Sequence, residues 1–166
     1  MGVEQTGVLS KEELTALPGV PSAERLAKGK VAVIECWQQI PCNPCEAACT
    51  KGAISIGEPL TKLPVLTEDK CDGCTLCLPS CPGLAIFMVD MSYSNTEATV
   101  SLPYELLPLP KKGDTVKALD REGKAVGEAK VVQVTNPPRF NRTPIIRIAV
   151  PKALAMDVRN IRPLED

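Results

Sequence analysis

The chain has 166 residues, enough for one ordinary domain or two small ones. Hydrophobic residues make up 44% of it and charged residues 23%, and the net charge of -1 demands neither a nucleic-acid nor a membrane partner. The chain has no histidine, which excludes the commonest general base and histidine-ligated zinc, Rieske-type and haem sites, so any metal chemistry must use cysteine.

Two features of the composition are unusual. Only 3% of the residues are aromatic, although aromatic side chains normally supply the largest buried areas of a core. The 16 prolines are about double the average usage of roughly 5%, so we expect many turns and extended loops. The longest apolar run is far shorter than the roughly 18 residues that suggest a transmembrane helix. Because the N-terminal residues also lack the pattern of a secretion signal, we expect a cytoplasmic protein without a membrane span.

The first part of the chain predicts two short helices. Ser10 and Glu13 form a capping-box pattern. Residues 22–28, followed by Gly29, predict a second helix that stops at the glycine. We therefore expect an N-terminal helical extension over residues 1–30.

Short apolar runs bounded by turn residues predict the strands of a second unit, residues 31–100. These runs occupy residues 31–34, 54–56, 63–66 and 86–89.

Beyond about residue 93 the pattern changes to strand-like stretches at residues 116–119, 129–134 and 145–150. Gly123, within residues 120–124, can take the positive φ that a hairpin turn requires. We therefore expect residues 101–166 to form a small β barrel or sandwich. The net charge is +5 from residue 111 onward and -6 before it, so the two parts of the chain are electrically opposite.

All eight cysteines fall into two runs between Cys36 and Cys81. The runs are Cys36-x5-Cys42-x2-Cys45-x3-Cys49 and Cys71-x2-Cys74-x2-Cys77-x3-Cys81-Pro82. The last three cysteines of the first run recur 32 residues later in the second, and Ala53-Ile54 recurs as Ala85-Ile86, so the segment has the pattern of a duplicated unit.

The spacing of the second run is that of a bacterial [4Fe-4S] ligand motif. Three closely spaced cysteines wrap one face of a cubane cluster, and the fourth cysteine of each run ligates the cluster of the other run. This rule predicts two [4Fe-4S] clusters as cofactors, with all eight cysteines as metal ligands. Cluster 1 takes Cys36, Cys42, Cys45 and Cys81, and cluster 2 takes Cys71, Cys74, Cys77 and Cys49. We expect cluster assembly to be coupled to the folding of this segment.

Two other uses of the cysteines are less favoured. Disulfides would suit an oxidising compartment, and closely spaced triplets are poor disulfide partners. Zinc sites usually pair two C-x2-C knuckles a dozen or more residues apart, without the additional nearby cysteine seen here.

The first run departs from the motif by its five residues between Cys36 and Cys42, where two are usual. A [3Fe-4S] cluster would result if Cys36 turned away. Within this enlarged loop, Trp37 is expected to cover the first cluster from solvent, the alternative being that the loop shapes a docking surface for a partner.

The segment from about Ala32 to Val89 resembles the two-cluster bacterial ferredoxins, which implies their pseudo-twofold α+β fold. The predicted fold class is therefore α+β, a two-[4Fe-4S] ferredoxin domain followed by the small β domain. The stretches Ile40-Pro41-Cys42-Asn43-Pro44-Cys45-Glu46 and Asp157-Val158-Arg159-Asn160-Ile161 resemble the ferredoxin-type subunit of multi-subunit FAD-dependent dehydrogenases of anaerobes. Those complexes oxidise small amines, imino acids or hydroxy compounds. This resemblance implies a hetero-oligomer with an FAD-containing dehydrogenase subunit and, often, a separate [2Fe-2S] protein.

The sequence thus predicts an electron-transfer subunit that passes single electrons between a flavoprotein and an acceptor, with no catalytic residue of its own. One alternative is a free-standing, diffusible ferredoxin. Another treats the basic C-terminal part as a nucleic-acid binder around Arg139 and Arg142. It is disfavoured because RNA-binding modules normally present several stacking aromatics, and Phe140 is the only aromatic residue after Tyr104.

Overall fold

A computed structural model describes residues 2–164 and shows a mixed α+β fold with short helices and antiparallel sheets. The helices are α1 (Val3–Thr6), α2 (Lys11–Ala16), α3 (Ala23–Ala27), α4 (Pro44–Ala48) and α5 (Cys77–Ser80). The strands are β1 (Val31–Ile34), β2 (Ile54–Ser55), β3 (Val65–Leu66), β4 (Ile86–Asp90), β5 (Glu97–Pro103), β6 (Thr115–Leu119), β7 (Ala125–Thr135), β8 (Ile145–Pro151) and β9 (Asn160–Pro163). No helix among residues 2–164 has the length and apolar character needed to cross a membrane.

Local capping explains the two predicted N-terminal helices. The Ser10 hydroxyl accepts a hydrogen bond from the Glu13 backbone N–H, and the Glu13 carboxylate accepts one from the Ser10 N–H, which confirms the capping box at the start of α2. Ser22 caps α3 in the same way by accepting from the Arg25 N–H. The chain leaves α3 through Gly29, whose φ of +126° confirms the predicted glycine stop.

Seven strands form one antiparallel sheet in the order β1-β4-β5-β8-β7-β6-β9, and β2 and β3 form a separate hairpin pair. The predicted strands at 31–34, 86–89, 116–119, 129–134 and 145–150 are confirmed within this sheet. Strands β5 and β9 were not predicted. Since β5 pairs with β4 on one side and with β8 on the other, one sheet runs across the predicted boundary at residues 100 and 101.

A tight hairpin joins β6 to β7, as predicted from Gly123, whose φ is +77°. The Asp120 carboxylate fixes the turn by accepting hydrogen bonds from the backbone N–H groups of Glu122 and Lys124, both at 2.9 Å.

The core is continuous from the cysteine segment to the C-terminal strands. In β8, Ile146, Ile148 and Val150 are fully buried, as their alternation predicts. Burial of each such aliphatic side chain stabilises the fold by about 1.5 to 3 kcal/mol. Cys45 and Cys77 belong to the same core, so part of the cysteine set lies inside the protein.

Candidate cysteine-lined binding sites

Two short helices position the cysteines. α4 contains Cys45 and ends just before Cys49, whereas α5 begins at Cys77 and ends just before Cys81. The two helices contact each other, so each brings the last cysteine of its own run towards the other run. Pro44 begins α4, a position where the missing N–H of proline costs nothing.

The eight cysteines line two separate cavities, four in each. The first cavity is lined by Cys36, Cys42, Cys45 and Cys81, and the second by Cys49, Cys71, Cys74 and Cys77. Each cavity therefore takes three cysteines from one run and the last cysteine of the other run. These are the two sets of four predicted from the spacing. That they ligate iron stays a prediction.

The β1–β4 strand pair forms the floor of both cavities. Ile34 and Ile86, which are opposite each other across the pair, line the first cavity, and the opposite pair Ala32 and Met88 lines the second. Residues two apart on a strand share a face of the sheet, so the cavities lie side by side on one face. The enlarged loop after Cys36 contributes Gln38 and Ile40 to the first cavity.

Backbone N–H groups donate hydrogen bonds to three of the sulfurs. Ala53 donates to Cys49 Sγ at 3.2 Å, and Ala85 donates to Cys81 Sγ at 3.5 Å. These two bonds occupy equivalent places in the predicted internal repeat. The N–H of Ala32 makes a third bond of this kind, to Cys71 Sγ at 3.4 Å. In iron-sulfur proteins, hydrogen bonds of this kind to the sulfurs help to set the cluster potential.

Burial opposes charge on the cysteine sulfurs. It raises the pKa of Cys45 to about 11, with a further contribution from the nearby Cys81 sulfur. Burial also raises the pKa of Cys77 far above its ordinary value, helped by its neighbours Cys71 and Cys74. A bound cation would reverse this preference, because a metal binds the thiolate and releases the proton.

The two cavities differ at their surface edges. Beside the second cavity, exposed Cys74 lies close to an ion pair between Lys51 and Asp72, 3.3 Å apart. The first cavity instead has the apolar side chain of Ile40, which is 48% exposed, together with Lys62. The edge of the first cavity thus combines an exposed apolar side chain with a cation, whereas that of the second carries an ion pair.

Arg25 fixes the loop that carries Cys71, a role that sequence reasoning missed. Its guanidinium donates hydrogen bonds to the carbonyl oxygen of Cys71 at 2.7 Å and to those of Lys30, Glu68 and Gly29 at 2.9 to 3.2 Å. The neighbours of Arg25 in the sequence predict a helix there, but nothing local indicates its contacts with the distant carbonyl groups of Glu68 and Cys71.

Trp37 lies away from the first cavity, although it belongs to the enlarged loop. It lines a groove together with Phe87, Arg121 and Arg159. Apart from the cysteines, the residues of that loop that line the first cavity are Gln38 and Ile40, so they, and not Trp37 as expected, would cover a cluster bound there.

A four-sulfur donor set is soft and suits iron-sulfur clusters or zinc. In the described part of the chain, no three or more Cys, Asp and Glu side chains lie close enough together to hold a single metal ion. A cubane cluster spaces its ligands more widely, because each cysteine binds a different iron. No family model matches the sequence, and no solved structure matches the chain.

Proposed function

We propose that this protein transfers single electrons through two [4Fe-4S] clusters, one in each cysteine-lined cavity. The observation that supports this proposal is the crossed partition of the cysteines. Each cavity combines three cysteines of one run with the last cysteine of the other, which is the ligand exchange typical of two-cluster ferredoxins.

The chain's own residues fit this role in three ways. Four thiols surround each cavity, apolar side chains such as Ile34 and Met88 exclude water from it, and backbone N–H groups donate to the sulfurs. When bound, thiolate-ligated clusters supply one-electron redox chemistry, while the protein sets their potential through hydrogen bonds, burial and charge. No disulfide joins any of the eight cysteines, which supports a reducing compartment, and we propose the cytoplasm.

We further propose that the protein works as a subunit beside an FAD-containing dehydrogenase, and that a [2Fe-2S] protein belongs to the same assembly. The long C-terminal part supports a fixed assembly over a freely diffusing ferredoxin, because β5 to β9 add a large surface that cluster binding does not require. The residues before 111 carry a net charge of -6, and each oxidised cluster would add about -2. A partner with a basic face fits this part of the surface.

Anaerobic purification tests the cofactor proposal. We expect a brown protein with about eight irons and eight inorganic sulfides per chain, and with visible absorption that bleaches on reduction. A colourless protein, or one that contains zinc, would contradict it.

Co-purification tests the assembly proposal separately. Tagged protein from its native cells should retain a flavin-containing subunit at low salt and lose it as the ionic strength rises, since screening weakens charge pairing. A monomer on size exclusion that carries both clusters and retains no flavoprotein would support the diffusible ferredoxin instead.

A further inference from the structure

A buried ion cluster joins the cysteine segment to the C-terminal strands. The Glu35 carboxylate accepts two hydrogen bonds from Arg121, at 2.9 and 2.6 Å, and one from Arg159 at 2.6 Å. Arg121 also donates to the Met156 carbonyl oxygen at 2.7 Å. The Arg159 guanidinium lies 4.9 Å from the ring centroid of Phe87 and is almost fully buried. We call Glu35, Arg121 and Arg159 the ion cluster.

The ion cluster lies on the back of the strands that floor the first cavity. Ile34 and Cys36 line that cavity, and Glu35 lies between them in the chain, so its side chain leaves the opposite face. On the neighbouring strand Ile86 lines the cavity, whereas Phe87 lines the groove of the ion cluster. One strand pair therefore separates the charges from the first cavity. A side chain spans about half of the roughly 10 Å between stacked sheets, so side chains on opposite faces of one sheet place the charges about 10 Å from the cavity.

The charges of the ion cluster do not cancel, because two guanidinium groups face one buried carboxylate. An arginine side chain stays protonated in proteins. Asp157 is a further acid near Arg159, and its effect on Arg159 is weaker than that of Glu35. Behind the second cavity the same face of the strand pair carries apolar side chains, among them the fully buried Val31 and Val89.

The second cavity has a different electrostatic environment on its own face. Arg25 lies near it and donates to the backbone carbonyl groups of Cys71 and Glu68, and the Lys51–Asp72 ion pair lies at its exposed edge. These groups are closer to water than the ion cluster, so solvent screens them more strongly.

We propose that the C-terminal strands place Arg121 and Arg159 behind cluster 1, where their positive charge raises its reduction potential. This inference rests on the proposed function, since it requires a cluster in the first cavity. A reduced cluster carries one more negative charge than an oxidised one, and nearby positive charge stabilises it. Arg121 and Arg159 are positioning residues that act through space and through Glu35, which precedes the ligand Cys36.

The expected size follows from Coulomb's law. One unit charge about 10 Å from the cluster, at an effective dielectric constant of about 20, changes the equilibrium constant for one-electron reduction roughly tenfold. A tenfold change corresponds to about 59 mV for a one-electron couple.

Potentiometric titrations followed by electron paramagnetic resonance test the proposal on purified, iron-loaded protein. Arg121→Met should lower one of the two midpoint potentials by roughly this amount, and Glu35→Gln should raise the same potential. Arg121→Lys keeps the charge and should restore the wild-type value approximately. Arg139→Met removes an exposed positive charge from the loop between β7 and β8 and serves as the matched control, with little expected shift.

The opposite signs of the two expected shifts in midpoint potential separate an electrostatic role from a structural one. Loosening of the fold would shift the potential of Arg121→Met and of Glu35→Gln in the same direction. Shifts of the same sign, or no shift in protein that keeps about eight irons, would overturn the inference and leave the proposed function intact. If Arg121→Met loses its iron, Glu35→Gln decides alone, since a raised potential supports the inference and an unchanged one refutes it. Absence of iron from the wild-type protein would instead refute the proposed function.

Discussion

The crossed arrangement of the cysteines predicts which pairs of substitutions spare a cluster. Cys42 and Cys81 belong to different runs but line the same cavity. Cys77 begins α5 and Cys81 directly follows it, yet these two line different cavities. The double variant Cys42→Ala/Cys81→Ala removes two ligands from the first cavity and none from the second. It should retain about four of about eight irons, as one unaltered [4Fe-4S] cluster.

The variant Cys77→Ala/Cys81→Ala removes one ligand from each cavity and should leave no unaltered cluster. Iron and sulfide analysis, together with the electron paramagnetic resonance signals of the reduced proteins, distinguishes the two variants. Ser80→Ala, on the same helix, is the matched control and should keep both clusters. The reasoning fails if Cys77→Ala/Cys81→Ala keeps one unaltered cluster while Cys42→Ala/Cys81→Ala loses both, because the fourth cysteine would then serve its own run.

Three further predictions concern the framework around the sites. Gly73 has a φ of +75°, and a Cβ there would lie 2.5 Å from Lys30 Cβ. Gly73→Ala should therefore selectively deplete the second cluster, as measured by the electron paramagnetic resonance signal of that cluster. Equal loss from both sites would contradict this prediction. Leu78 is fully buried, so Leu78→Ala should lower the free energy of unfolding, measured by urea denaturation, by about 2 to 5 kcal/mol. A decrease of less than about 1 kcal/mol would show that Leu78 does not pack as described. Arg25→Met breaks four hydrogen bonds to carbonyl groups, including that of Cys71. It should accelerate the loss of iron to a chelator from the second site only. Iron release at the wild-type rate would show that these bonds do not hold the loop that carries Cys71.

Local patterns in the sequence were sufficient for much of the fold. The capping box at Ser10 and the turn at Gly123 each depend on residues close in the chain, and the structure confirms them. The alternation in β8 predicted a strand, but Ile145 and Ala149 on its less apolar face are buried as well. The grouping of the cysteines around the two cavities also followed from their spacing. In a duplicated motif with exchanged ligands, the first three cysteines of each run can group only with the last cysteine of the other run.

The remaining features depend on contacts between distant parts of the chain. In β5, Ala98, Val100 and Leu102 alternate with polar residues, which is a signal for a strand. The polar Thr99 and Ser101 are buried as well, and this burial is explained only by the strands on either side of β5. The ion cluster joins residues 86 and 124 positions apart in the sequence. No periodicity or motif predicts such a pair, and its detection requires the folded chain.

The continuity of the seven-stranded sheet has a mechanical consequence. Backbone hydrogen bonds hold β5 to β4, which floors both cavities, and equally to β8 of the C-terminal part. Bending at this junction would break those bonds. A partner protein that binds the C-terminal strands would therefore also hold the cysteine-lined cavities at a constant distance and angle from itself. Electron tunnelling falls off steeply with separation, and such stiffness would keep the gap to a donor's redox centre the same from one turnover to the next.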